Sequence, residues 1–361
     1  MKRKINFYAG PSTLPLTVLQ QIQEEIVDYK GAGLSLIETS HRSKEYDEVH
    51  NDAITTIKEL LLVPDNYQIL FLGGGATLQF SMIPLNFISG GKECDFIVSG
   101  AWAKKAYSDA KKVGKVNVLF DGEKDSYTTL PDAGSIKVNP GSEYLHITSN
   151  ETIGGIQFHE WPDTGNVPII SDMSSDMLSR PLPVKKFGLI YAGAQKNLGP
   201  AGVTLVIIRK DLLEKCPDSL TSYLNYSIHA AKNSIYNTPP VFSIYAMKLV
   251  VERIKKMGGL GEMQKINERK ASLLYDCIDD LKDFYNCPVD KKYRSKMNVI
   301  FRLPNEDLEK RFVEGSVGEG MLGLKGHRSV GGIRASIYNS MPEDGVESLV
   351  QYMKSFALKN G

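Results

Sequence analysis

The chain has 361 residues, 42% hydrophobic and 24% charged, with a formal net charge of +1. That length and apolar content predict a substantial core divided between two domains. The charge balance argues against a partner that is nucleic acid or an acidic surface, so any positive site must be local.

Four cysteines, Cys94, Cys216, Cys277 and Cys287, show neither metal-ligand pairing nor a disulfide framework. A reduced, cytoplasmic, metal-free setting is expected. Residues 1–8 are basic without a following apolar segment, and no apolar run reaches bilayer length. Neither a secretory signal nor a membrane partner is therefore expected.

The chain opens with a turn-rich arm, residues 6–12. Pro15 then stands at the first position of a helix carrying Leu16, Leu19, Ile22, Ile26 and Tyr29, which Gly31 and Gly33 end. A polar segment, residues 37–43, precedes a second helix with Tyr46, Val49, Ala53, Ile57, Leu60 and Leu61, stopped by Pro64. Residues 67–72 read as a buried strand, and Gly73-Gly74-Gly75-Ala76-Thr77 turns it into a helix beginning near Leu78. Such a turn can converge free N–H groups on an anion, or it can be purely structural. Neither nucleotide-loop pattern fits it, which excludes a conventional nucleotide.

Further apolar strands span 96–98, 116–120, 144–148, 167–171, 189–192 and 203–208, with helices or loops between them. Continuous apolar strands with helical crossovers predict an α/β fold with a mainly parallel sheet covered on both faces. Ligands of such sheets gather at the strands' carboxyl ends. Gly75, Trp102, Thr152, Asp172 and Lys196 all fall there.

Taken singly, each is ambiguous. Lys196 sits on a turn of small residues (Gly193, Ala194, Gly199, Ala201, Gly202) that keeps bulk from its amine, yet a solvated loop lysine has the same look. Asp172 is compatible with a helix cap, and Trp102 with a core residue. Together they describe a pyridoxal phosphate site: an imine-forming lysine, a pyridinium partner, a stacking ring and a phosphate cup.

After residues 236–240 the chain becomes helical, with Val241, Ile244, Leu249, Val250 and Ile254, and breaks at Gly258. A second helix carries Met263, Ile266, Leu273, Leu274, Ile278 and Leu281; residues 297–303 and 333–338 read as strands of a smaller sheet, and Pro342 starts the last helix. The expected division is a large domain, 16–257, and a small domain made of 1–15 and 258–361. His41-Arg42-Ser43 recurs as His327-Arg328-Ser329, with Arg334 shortly beyond. In a nearly neutral chain these pairs suggest a local anion pocket, and ordinary surface pairs are the alternative.

Asn6-Phe7-Tyr8-Ala9-Gly10-Pro11, Ser40-His41-Arg42, Asn150-Glu151-Thr152-Ile153-Gly154-Gly155, Gln195-Lys196-Asn197, Tyr236-Asn237-Thr238-Pro239-Pro240 and Gly326-His327-Arg328 cover nearly the whole length. With them the chain resembles the phosphoserine aminotransferase family, in the fold-type I group of pyridoxal-phosphate enzymes. The resemblance implies a large domain with a mainly parallel sheet of the seven-stranded type, plus a smaller α/β C-terminal domain. It implies that Lys196 forms the internal aldimine, Trp102 stacks on the ring, Asp172 pairs with the ring nitrogen and Thr152 bonds the ring hydroxyl. Ala76, Thr77 and Gln195, with Asn237 and Thr238 of a second subunit, would hold the phosphate of pyridoxal 5′-phosphate in a homodimer with shared sites. Arg334 would take the substrate α-carboxylate, while His41, Arg42 and the partner subunit's His327 and Arg328 face the second anion.

The implied activity is ping-pong transamination of O-phospho-L-serine with 2-oxoglutarate, giving 3-phosphohydroxypyruvate and L-glutamate, in serine biosynthesis. Side activity on 4-phosphohydroxy-L-threonine is left open. Some family members carry arginine directly after Gly-Gly-Ala, where this chain has Thr77-Leu78, which leaves open how many positive groups grip the substrate's far end. Two other readings compete: desulfuration on the same cofactor, which needs a reactive cysteine in a mobile loop, and a binding module without turnover.

Overall fold

The computed structural model describes residues 3–361; residues 1 and 2, which open the basic N-terminal stretch and the 1–15 segment, lie outside it. Seven strands form the central sheet: β1 (Tyr67–Leu72), β2 (Glu93–Val98), β3 (Lys115–Asp121), β4 (Leu145–Thr148), β5 (Ile169–Asp172), β6 (Phe187–Gly193) and β7 (Thr204–Arg209). Their spatial order is β1-β7-β6-β5-β4-β2-β3. Pairing is parallel from β6 through β5, β4 and β2 to β3, and only β7 runs antiparallel, between β1 and β6. The carboxyl ends of the other six strands therefore share one edge.

The apolar runs are continuous because both sheet faces are covered, and the two-residue period divides them. In β7, Leu205 and Ile207 face one core while Val206 and Ile208 face the other; in β6, Ile190 and Ala192 divide in the same way from Leu189 and Tyr191. The first face is covered by α1 (Leu16–Glu25), α2 (Lys44–Leu61) and, after the sheet in the chain, Val241–Lys256. The second carries α3 (Gly75–Phe87) and α4 (Ala101–Ala110).

Beyond the sheet come α5 (Val241–Lys256), α6 (Gly259–Asp280), α7 (Glu306–Gly318) and α8 (Glu343–Asn360), with the antiparallel pair β8 (Asn298–Phe301) and β9 (Ile333–Ser336). A third core joins Phe7, the later half of α6, β8, β9, α7 and α8. The N-terminal arm is tied into this part by a parallel pairing of Ile5–Asn6 with Met321–Leu322.

Two helix boundaries differ from the sequence expectation. The first helix stops at Glu25, and Tyr29 sits in a separate 3-10 turn, buried edge-on against Tyr245. More consequentially, α3 begins at Gly75 rather than near Leu78, because Gly74 (φ 82°) and Gly75 (φ 65°) both take left-handed conformations and turn the chain within three residues of β1. A side chain at Gly74 would also meet Leu78 at 2.5 Å. Ala76 and Thr77 thus lie in the first helical turn, where N–H groups have no intrahelical acceptor.

Candidate active site

Lys196 follows β6 on a turn closed by three backbone bonds: Ala194 N–H to Val203 O at 3.0 Å, Leu198 N–H to Ala194 O at 3.1 Å and Gly199 N–H to Ala194 O at 2.8 Å. Asn197 anchors it sideways, donating to Ser175 O at 2.8 Å and accepting from Asn339 N–H at 2.9 Å. From the other side the N-terminal arm straps the turn down: Ser12 N–H donates to Gln195 O at 2.9 Å, and the Ser12 hydroxyl donates to Lys196 O. Gly10 passes so close that a Cβ there would lie 3.4 Å from Lys196 Cγ. Gly193 makes room for the Gln195 amide, which a Cβ would meet at 2.8 Å. The lysine is therefore held by backbone on three sides while its amine points away from them.

That amine donates to the Thr152 hydroxyl at 2.5 Å. Asp172 ends the neighbouring strand, with one carboxylate oxygen taken by Ser174, from N–H at 2.9 Å and from the hydroxyl at 2.6 Å. Its second oxygen accepts no hydrogen bond among the described residues. Burial lowers the basicity of Lys196, opposed by the negative charges of Asp172 and Glu151. Burial likewise raises Asp172, opposed by Lys196 and the Ser174 bonds. Each group is pushed towards neutrality by lost hydration and held towards charge by the other. A lysine whose amine is made less basic in this way is a better nucleophile than a solvated one.

Trp102 opens α4, its ring centroid 5.5 Å from Lys196 Nζ, and its indole nitrogen is buried without a partner. Lys105 lies over the same indole at 4.1 Å. Glu151, adjacent to Thr152, accepts from the backbone N–H of Trp102 at 3.2 Å and of Ala103 at 2.8 Å. Glu151, Ser174 and Ser12 escaped the sequence reading. The available signals were a glycine at the N-cap of α4 with no capping side chain, and a serine two residues after Asp172.

The anion-pocket residues are only partly assembled in one chain. Arg334, on β9, reaches Thr152 O with Nη1 at 3.4 Å, and its Nε is buried without a partner. A cavity of about 300 Å³ is lined by Arg334, His327, Arg302, Tyr127, Ile153 and Gly154, among others. His327 is less basic than usual because of burial and the positive charges of Arg334, Arg328 and Lys105. It shares that cavity with Arg334 of its own chain. Arg328 and Arg42 are exposed, His41 is half-buried, and neither His41 nor Arg42 is hydrogen-bonded to the Lys196 group among the described residues. Asn237 and Thr238 are also exposed, with Asn237 donating only to Thr238 O at 3.1 Å.

These features fit one flat, doubly anchored ligand. An aspartate with an open oxygen meets a ring nitrogen, an indole gives a stacking face, and the first turn of α3 at Ala76 and Thr77 offers N–H groups to an anion. Lys196 lies between them. Fold and site together define an aminotransferase that uses pyridoxal 5′-phosphate: the aminotransferase class-V family model matches residues 5–349.

The phosphoserine aminotransferase of Niallia circulans is 51% identical over 360 residues, covering 100% of this chain and 99% of its own. The solved phosphoserine aminotransferase of Bacillus circulans subsp. alkalophilus superposes with a TM-score of 0.98 at 50% identity, covering 100% of both chains. A PLP-bound phosphoserine aminotransferase from Trichomonas vaginalis gives 0.89 at 39% identity, over 98% of this chain and 100% of that one. The chain belongs to the phosphoserine aminotransferases, within the class-V aminotransferase family.

Proposed function

We propose that the chain transfers the amino group of O-phospho-L-serine to 2-oxoglutarate, releasing 3-phosphohydroxypyruvate and L-glutamate as a step of serine biosynthesis. The observation that carries this reading is the part-buried Lys196 joined to Thr152 beside the buried Asp172, within a chain 51% identical end to end to a phosphoserine aminotransferase. When bound, pyridoxal 5′-phosphate supplies an electrophilic carbonyl and an electron sink conjugated to the substrate Cα.

The chain's residues supply the rest. Lys196 would anchor the cofactor and serve as the general base and acid at the substrate Cα, its amine made less basic by burial. Asp172 would hold a positive charge at the cofactor's ring nitrogen, with Ser174 fixing the orientation of its carboxylate. Thr152, which accepts from the Lys196 amine, would bond the cofactor's ring hydroxyl, Trp102 would stack on the ring, and Ala76, Thr77 and Gln195 would hold the phosphate. Arg334 takes the α-carboxylate in a planar two-pronged grip. Its guanidinium, with an unpartnered buried Nε, supports this role. His41, Arg42 and the partner subunit's His327 and Arg328 face the substrate's second anion, which the phosphate of phosphoserine and the distal carboxylate of glutamate occupy in turn.

The enzyme acts as a homodimer, with Asn237 and Thr238 reaching the phosphate of the other subunit's cofactor; their exposure in the single chain supports this. Two domains, 16–257 and 1–15 with 258–361, are supported by the separate core around β8 and β9. A cytoplasmic location is supported by four free thiols. Desulfuration is disfavoured because burial raises the thiols, Cys94 to about 12 and Cys216 to about 11, away from the thiolate.

Incubation with phosphoserine and 2-oxoglutarate tests the proposal directly. Glutamate should appear in step with 3-phosphohydroxypyruvate; no glutamate from the holoenzyme would overturn it.

A further inference from the structure

Helix α4 starts without a cap of its own: its N-cap is Gly100, which offers no side chain to the free N–H groups. The cap arrives from a distant two-residue strand, Asn150–Glu151, as the Glu151 carboxylate accepts from Trp102 N–H at 3.2 Å and Ala103 N–H at 2.8 Å. Space has been cleared for it, because a Cβ on Gly100 would lie 2.5 Å from Glu151 Cδ. The backbone of Gly100 is extended (φ 174°) and open to any residue, so the glycine answers to the carboxylate alone. Glu151 is fully buried, and its neighbour Thr152 accepts from the Lys196 amine. One dipeptide thus grips Trp102 with its first side chain and Lys196 with its second.

We infer that Glu151 is a positioning residue of the reaction: by clamping the first turn of α4 it fixes the Trp102 indole against the cofactor ring and sets how tightly the cofactor is held. This rests on the reading in which Trp102 stacks on that ring. An anion at a helix N-terminus is favoured by the dipole and the free N–H groups, and a hydrogen-bonded carboxylate holds its donors more firmly than a neutral group does. Burial raises the acid to about 7, against the lowering effect of its two N–H donors, with Asp172 raising it and Lys196 lowering it further. A buried carboxylate kept at that cost where an ordinary serine or aspartate cap would serve the helix points to a task beyond capping.

Glu151→Gln preserves shape but turns an amide N–H towards one donor. It should weaken cofactor binding by the holoenzyme about tenfold, as loss of one charge-assisted bond implies, and change the visible circular dichroism of the bound cofactor. Gly100→Ala, which displaces the carboxylate instead of removing it, should do the same and serves if Glu151→Gln folds poorly. The deciding comparison repeats Glu151→Gln in a Trp102→Ala background, where the additional loss should be less than about twofold. A loss of equal size in both backgrounds, or a change in thermal midpoint with cofactor affinity and dichroism untouched, overturns the inference and leaves Glu151 a structural cap. If Trp102→Ala alone binds cofactor as tightly as the parent, the stacking reading fails first and the inference with it, while the transamination assay still reports on the enzyme's function.

Discussion

The Lys196 amine and the Thr152 hydroxyl lie 44 positions apart in the chain and 2.5 Å apart in space. They meet because β4 and β6 flank β5 in parallel, so the loops after β4 and β6 leave the same edge with Asp172 between them. Asp172 is in register with Thr148 on one side and Tyr191 on the other. Three adjacent strands thus deliver the Lys196 amine, its hydrogen-bond partner Thr152 and the Asp172 carboxylate to one point.

Lys196→Arg keeps a positive charge but removes the nucleophilic amine. Turnover of phosphoserine with 2-oxoglutarate should fall by at least ~10²–10⁴-fold, the usual weight of a positioned proton carrier, and the visible absorption band of the holoenzyme should be lost. Activity near that of the parent would exclude Lys196 as the anchor.

Arg334→Lys retains charge without the planar fork. Michaelis constants for phosphoserine and glutamate should both rise, by about 10- to 100-fold, because the α-carboxylate is common to them. Arg42→Ala should instead raise the constant chiefly for phosphoserine. If alanine-type substrates suffered equally, its place opposite the second anion would be wrong.

A site shared between subunits can be complemented. A Lys196→Arg dimer and an Asn237→Ala/Thr238→Ala dimer should each be poorly active, and subunit exchange should restore about a quarter of the parent's activity, since half the dimers then carry one intact site. Mixing without any recovery would place Asn237 and Thr238 in their own subunit's site or outside both. Dilution below the dimer's dissociation constant should also cost activity with Lys196 intact.

Lys270, on α6, is fully buried and donates to the carbonyls of Tyr338 at 2.7 Å, Ile337 at 2.9 Å and Met341 at 3.1 Å. Burial lowers it from 10.5 to about 7, with Glu343 raising it and Arg253 lowering it slightly. Between those two values the unfolded chain holds a proton that the native protein has released, so this group's contribution to stability rises with pH across that window; below about 7 the full cost of the buried charge is present. Lys270→Met should remove that part of the slope and, by leaving three carbonyls unpaired, cost about 2–3 kcal/mol. Urea midpoints at pH 7 and pH 9 test this; equal slopes in parent and variant would refute it.

Most strands were legible in sequence because each is a short apolar run ended by turn residues. Residues 67–72 were read to the residue, and the others to within about three positions at either end. α3 starts earlier than composition suggests because Gly75, Ala76 and Thr77 have turn-like composition, while the left-handed pair Gly74 and Gly75 completes the turn by residue 75. The bond between Ser12 and the lysine turn, the cap that Glu151 gives α4 and the cavity that His327 shares with Arg334 left no local trace. Each joins segments whose own patterns are satisfied without the other.

The sequence by itself determined that Lys196 would stand on a small-residue turn after a strand, with Asp172 and Thr152 at or just beyond two others, since strand ends and tight turns follow from local apolar period and glycine placement. Only the tertiary structure decided that these strands are neighbours. Backbone hydrogen bonds carry no residue identity, so the order β6-β5-β4, and with it the 2.5 Å contact from Lys196 to Thr152, follows from how the two faces pack.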